Sequence, residues 1–187
     1  MLNLPANFKN DIQGRDTALV PVVVIGENQY LSGMINGEFF AISTNVINIP
    51  VYIPDHAGVD TTTKPLLLNI PSLKESIDIE KRNYKISSIK LDISNAPYNG
   101  NRFSELIDGS LINQPCRVFW VSQTTTQLWF VDAYDDPATL IGDYPSAAFQ
   151  VYSGTIRRYE HDDEKVRLVV EDRSQATLHK DLPLERN

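Results

Sequence analysis

A single cysteine, Cys116, stands among 187 residues, so an internal disulfide is excluded. The three histidines, His56, His161 and His179, are scattered along the chain, which leaves no compact Cys/His donor set for a structural zinc ion. Basic residues are outnumbered, 17 Lys and Arg against 24 Asp and Glu, for a formal net charge of −7. That balance argues against a nucleic-acid partner, because such binding draws its affinity from neutralised phosphates. No apolar run approaches the roughly 18 residues of a membrane span. The opening MLNLPANFKNDIQGRD lacks both the positive and the apolar regions of a secretory signal. The expectation is a chain that is soluble at synthesis, folds in a reducing cytoplasm and has no membrane partner.

Glycines fall singly, so neither a phosphate-cradling G-x-x-x-x-G-K-[ST] loop nor a dinucleotide-binding G-x-G-x-x-G turn is present. The G-x-S-x-G elbow of a hydrolase serine is also missing. No internal repeat of fixed period appears, and no Gly-, Ser- or Pro-rich linker marks a firm boundary.

What the chain does have is enough apolar matter for a core: 42% of residues are apolar and 22% charged. A chain of this size buries roughly 70% of its unfolded surface. Pro5, Phe8, Ile12 and Gly14 are spaced for a short first helix with Phe8 and Ile12 on one face, ended by the glycine. Residues 18–26 form a β-branched run whose Pro21 restricts it to a strand start or a sheet edge. From Gly26 to about Leu66, repeated Gly and Pro punctuate short apolar stretches, which fits short strands and a long loop.

Strand patterns dominate the remainder. Ile77 and Ile79 alternate with polar residues before a Lys81-Arg82-Asn83 corner, and alternation resumes at Tyr84, the pattern of a β-hairpin. Tyr84 and Ile86 share one parity while Ile89, Leu91 and Ile93 share the other, which places a β-bulge at Ser87-Ser88. A brief helix is expected from Phe103 to Gly109. Residues 118–121 and 128–131 are apolar on both faces and flank a polar connection, so they predict a second hairpin covered on both sides, as in a barrel or sandwich. A third hairpin runs through Phe149–Tyr159, the Glu160–Glu164 turn and Val166–Val170, and Ser174 caps a final short helix through His179. Successive hairpins with brief helices define a mainly β, β-rich α+β fold.

Groups capable of chemistry have structural uses that suffice. Cys116 has no histidine or basic cluster nearby in sequence to depress its pKa and reads as a small residue on a strand edge. The Glu160-His161-Asp162-Asp163-Glu164 cluster is weighed as a divalent-cation site, but it lacks calcium-loop spacing and reads as a charged hairpin tip. Asp132, Asp135, Asp136 and Asp143 are weighed as glycosidase carboxylates and read as loop caps. Trp120, Trp129, Phe119, Phe130, Tyr134 and Phe149 are expected in core or interface packing. Arg157 and Arg158 are expected to pair across strands with Glu171 or its neighbours. No catalytic, cofactor-binding or metal residue is assigned, and no enzyme activity is expected.

Two stretches resemble tail proteins of tailed bacteriophages, specifically tail-tip or baseplate-hub proteins. The first combines residues 69–80, 84–95 and Tyr98-Asn-Gly-Asn-Arg-Phe-Ser-Glu-Leu106; the second combines residues 152–168, Glu171-Asp-Arg-Ser174 and Leu178-His-Lys-Asp-Leu-Pro183. Residues 17–26 resemble them only in strand character. The resemblance implies an antiparallel, β-barrel-like hub domain over 69–187. It is preceded over 1–68 by an N-terminal strand and an extended assembly arm, whose 27–66 segment is buried on assembly. It further implies a homo-oligomeric ring, trimer or hexamer, in the virion tail tip. The partners would be tail-tube, distal-tail, hub or spike, and tape-measure proteins, with assembly in the host cytoplasm. Its rivals are a β-sandwich that binds receptor saccharides and a glycosidase using Asp132, Asp135 or Asp136.

Overall fold

The computed structural model describes residues 4–26, 40–52, 59–69, 72, 76–78, 83–85, 88–107, 110–129 and 146–172. The described secondary structure is mostly β, as the strand patterns require, with one α-helix. Two compact units emerge, each built from two stretches of chain: Met1–Leu67 with Cys116–Tyr152, and Leu68–Pro115 with Ser153–Asn187.

In the first unit, helix α1 spans Ala6–Ile12 behind Pro5, which takes the N-cap position. Phe8 is buried and meets Phe149 with ring centroids 5.5 Å apart. Ile12, expected on the same face, is exposed at the last residue of the helix. Strands β1 (Val20–Ile25), β2 (Phe40–Ser43), β3 (Asn48–Tyr52) and β4 (Val59–Thr62) follow, then β8 (Pro115–Val121) and β9 (Leu128–Trp129) later in the chain. They form two sheets, one in the order β2-β1-β8 and one in the order β4-β3-β9.

Pro21 and Pro50 sit where a ladder is incomplete. β1 is flanked on both sides, so Pro21 does not mark a sheet edge; β2 pairs only from Val22 onward, and Pro21 precedes that ladder. Pro50 likewise precedes the point where β9 joins β3, at Val51. A residue without an N–H is tolerated where no neighbour asks for one.

One core joins the two sheets. Val22, Val24, Ala41, Phe119 and Val121 from the first meet Ile49, Val51 and Leu128 from the second, with Ala148 completing the cluster. The opposite-parity residues Val23, Ile25, Ile42 and Val118 are buried as well. The apolar strand β8 is therefore covered on both faces, as expected.

Its partner differs from expectation. β8 does not form a hairpin with β9: it pairs antiparallel with β1 from Val20↔Val121 to Ile25↔Cys116, while β9 pairs parallel with β3 in the other sheet. The Ser122–Thr125 turn, closed by Thr125 N–H donating to the Ser122 carbonyl at 3.2 Å, sends the chain from one sheet to the other. An apolar strand advertises burial but not the identity of its neighbour.

The second unit contains β5 (Ser76–Asp78), β6 (Asn83–Lys85), β7 (Ile89–Ser94) and β11 (Lys165–Asp172), together with most of β10 (Phe149–His161). β5 and β6 pair antiparallel through Ile77↔Tyr84, the expected hairpin. The change of apolar parity near Ser88 is not a bulge within one ladder: β6 ends at Lys85, and β7 begins at Ile89 in a different sheet. Ser87 lies outside the described residues, as do Phe130, Val131 and the expected 174–179 helix. The Phe103 segment shortens to a 3-10 turn, Phe103–Glu105.

β11 stands between β10 and β7. Along one face, Val166, Leu168 and Val170 oppose Ile93, Leu91 and Ile89, and all six are buried. The bulge in this sheet falls in β10, between Ile156 and Arg158. The extra residue is Arg157, which lets Ile156 face the core while Arg158 opposes Val169.

This facing fixes a contrast between adjacent residues. Leu168→Ala removes fully buried apolar volume and is expected to lower unfolding free energy by about 2–5 kcal/mol in urea denaturation. The exposed neighbour change Arg167→Ala should cost within about 0.5 kcal/mol. Equal losses would contradict the assigned register.

Candidate assembly surface

The β10–β11 hairpin tip is the most elaborately tied polar site of the second unit. Asp162 turns the chain by accepting the backbone N–H of Glu164 at 2.9 Å and of Lys165 at 2.7 Å on one carboxylate oxygen. Those two bonds, the Lys165 one foremost, hold its carboxyl below the ordinary value of 3.8. The turn is then latched from the side by Asn95, a buried polar residue just past β7. Its Nδ2 donates to the Asp162 carbonyl at 2.6 Å, its backbone N–H donates to the Glu164 carbonyl at 2.8 Å, and its Oδ1 accepts the Ser104 N–H at 3.0 Å. Arg102 adds an ion pair to Asp163 at 2.9 Å, and its own N–H is held by Glu105 at 2.9 Å.

The acidic cluster weighed as a cation site is thus spread over separate duties: Asp162 on the backbone and Asp163 on Arg102. Glu160 lies 3.7 Å from Arg158 along β10. The tip is a built turn.

A second polar clasp holds the N-terminal helix of the first unit. Asp11 Oδ2 accepts Thr124 N–H at 3.0 Å and the Thr124 hydroxyl at 2.6 Å. Hydrogen bonds from Ser122 and Thr124 keep the Asp11 carboxyl below its ordinary range, Ser122 contributing most. Gln123 Nε2 donates to the Asp16 carbonyl at 3.1 Å, and the Thr17 hydroxyl donates to the Asp11 carbonyl at 2.8 Å. The turn that carries the chain between sheets is the same turn that receives the helix.

Other residues singled out in sequence fall as follows. Cys116 is fully buried in β8, and burial pushes its thiol up to about 12, so it cannot supply a thiolate nucleophile. Phe119 is in the core and Phe149 packs on Phe8. Trp120 is half-buried. Phe130, Tyr134, Asp132, Asp135, Asp136 and Asp143 lie outside the described residues, as does His179. Arg157 pairs across the strand with Glu171 at 3.2 Å, as expected, and also donates to Asn113 Oδ1 at 3.0 Å. Sequence reasoning missed Asn95 and Asp11. An Asn after a strand and an Asp in a helix carry no sign of partners 67 and 113 positions away.

Segments 40–52 and 59–66 of the expected arm are built into the two sheets of the first unit; residues 27–39 and 53–58 lie outside the described residues. The outer edge of β2 is covered by its own chain: Ser43 N–H donates to Lys64, Lys64 N–H to Ala41 and Leu67 N–H to Ser43, at 2.9–3.0 Å. β7 receives one such bond, from Leu68 N–H to the Asp92 carbonyl at 2.9 Å. On its far side β4 has no strand partner among the described residues. It is short and polar, with Asp60, Thr61 and Thr62, features that discourage indiscriminate edge pairing. Among the described residues, no helix is long and apolar enough to cross a membrane.

No protein-family model matches the sequence, and no curated protein does. Among solved structures, the chain is similar to a chain of the virion of a native gene transfer agent particle, at 12% identity with a TM-score of 0.52. The match covers 98% of this chain and 48% of the other, so the chain spans about half the length of that neighbour. At this identity the likeness is one of fold.

Asn95→Ala strips the latch and leaves the Ser104 N–H and the Asp162 carbonyl without their side-chain partner. A loss of about 1–3 kcal/mol in urea denaturation is expected, and an unchanged midpoint would refute the latch. The depressed Asp162 carboxyl contributes stability that is present above pH 3.8 and is lost as pH falls through its lower folded value. In thermal unfolding, the gap between wild type and Asp162→Asn should therefore close on acidification; a constant gap would contradict the charged turn.

Proposed function

We propose that the chain is a structural subunit of a bacteriophage tail tip or baseplate hub, forming a ring with other tail proteins at the distal end of the tail tube. The observation that carries this reading is the fold shared, over 98% of the chain, with a chain of a gene transfer agent virion. The tail-protein resemblance of residues 69–183 points the same way.

The chemistry of the described residues supports a scaffold. The cysteine is buried, which pushes its thiol up to about 12, and the tip and helix carboxylates with depressed pKa values, Asp162 and Asp11, hold backbone turns. In this reading the protein makes and breaks no bonds. Its partners are further copies and sister tail proteins, and its place is the virion.

Light scattering of the purified chain over a wide concentration range tests the reading. A ring appears as a mass of three or six times 21.1 kDa. A chain that stays at 21.1 kDa throughout overturns the ring, and glycan-array binding by that monomer would favour a receptor-binding module instead.

A further inference from the structure

We infer that Asn99-Gly100 is a site of spontaneous covalent modification, at which Asn99 deamidates through a succinimide to a mixture of aspartate and isoaspartate. The pair forms the tip of a two-residue hairpin turn. Tyr98 N–H donates to the Asn101 carbonyl at 2.9 Å, and Asn101 N–H donates back at 3.2 Å. Asn99 and Gly100 both have positive φ, 53° and 91°, the conformation that Asn-Gly favours in such turns.

Three features favour reaction at this amide. Both residues are exposed. A Cβ placed on Gly100 would meet nothing within 4 Å, so the glycine lies in open space. Among the described residues, neither the Asn99 side chain nor the Gly100 N–H has a hydrogen-bond partner. Asn95 provides the contrast: it is buried, both ends of its amide are bonded, and the bulkier Ala96 follows it. Asn113 shares the positive φ, but its Oδ1 is held by Arg157 and Gln114 follows it.

The step is redox-neutral. The Gly100 backbone nitrogen gives up its proton to base and forms a bond to Asn99 Cγ; the Cγ–Nδ2 bond breaks and Nδ2 leaves, protonated, as ammonia. Water then opens the ring at either carbonyl. Each event adds one negative charge to the −7 of the chain. The isoaspartate product also moves a methylene into the main chain, which the Tyr98–Asn101 pair cannot absorb in register. Asparagine is a recognised thermolabile residue, and this turn presents one with its nucleophile beside it.

The folded full-length chain, incubated at mildly alkaline pH and digested, tests the site by peptide mass and by methyl transfer from an isoaspartyl methyltransferase. The expected result is the amide-to-acid mass increment on the peptide containing Asn99, with isoaspartate labelling, increasing with pH. Asn99→Gly keeps a residue suited to positive φ, and labelling of that peptide should disappear. A folded chain whose Asn99 peptide stays unmodified, whether or not the urea-unfolded chain converts, overturns the proposal.

Discussion

Strand β8 must be covered on both faces, and much of the first unit follows from that constraint. Cys116, Val118, Phe119 and Val121 alternate sides yet are all buried. A strand of this kind is stable only with apolar neighbours above and below it. β1 meets the same requirement with Val22 and Val24 on one side and Val23 and Ile25 on the other. One face is closed by the second sheet through Ile49, Val51 and Leu128. That closure draws residues 40–52 and 59–66 into the body, because those strands are the supply of cover. The prolines at 21 and 50 are compatible with it because each precedes a second ladder.

Among the described residues, polar side chains then fix the turns. In the second unit, a half-polar sheet of the antiparallel kind needs its hairpin tip oriented, and Asn95 does this from inside while Arg102 does it from the surface. The surface ion pair is worth little by itself. The buried amide matters more, since each of its bonds satisfies a backbone group that would otherwise be left unpaired. In the first unit, Asp11 performs the corresponding task for the helix. Both devices hold local geometry firm.

The sequence made alternation and burial legible, but not pairing. Val166, Leu168 and Val170 and their opposites in β7 were readable because period-two patterning survives in a sheet with one wet face. The same rule gave the β5–β6 and β10–β11 hairpins and the Arg157–Glu171 pair. It failed at β8 and β9, where uniform apolarity erases the parity that would name a partner. It also failed at Ser87-Ser88, where a change of sheet and a bulge leave the same phase shift. The latch at Asn95 and the clasp at Asp11 were illegible because their partners are remote in sequence and their residue types are ordinary. The Asn99-Gly100 turn was visible as turn chemistry, whereas its exposure and positive φ angles required coordinates.

In the proposed role, copies of this fold repeat around an axis. Electron-microscopic imaging of the purified, concentrated chain tests it. A ring-forming block gives annular particles, with the same subunit outline recurring at equal angles around an open centre. A field of separate, asymmetric globules would contradict it.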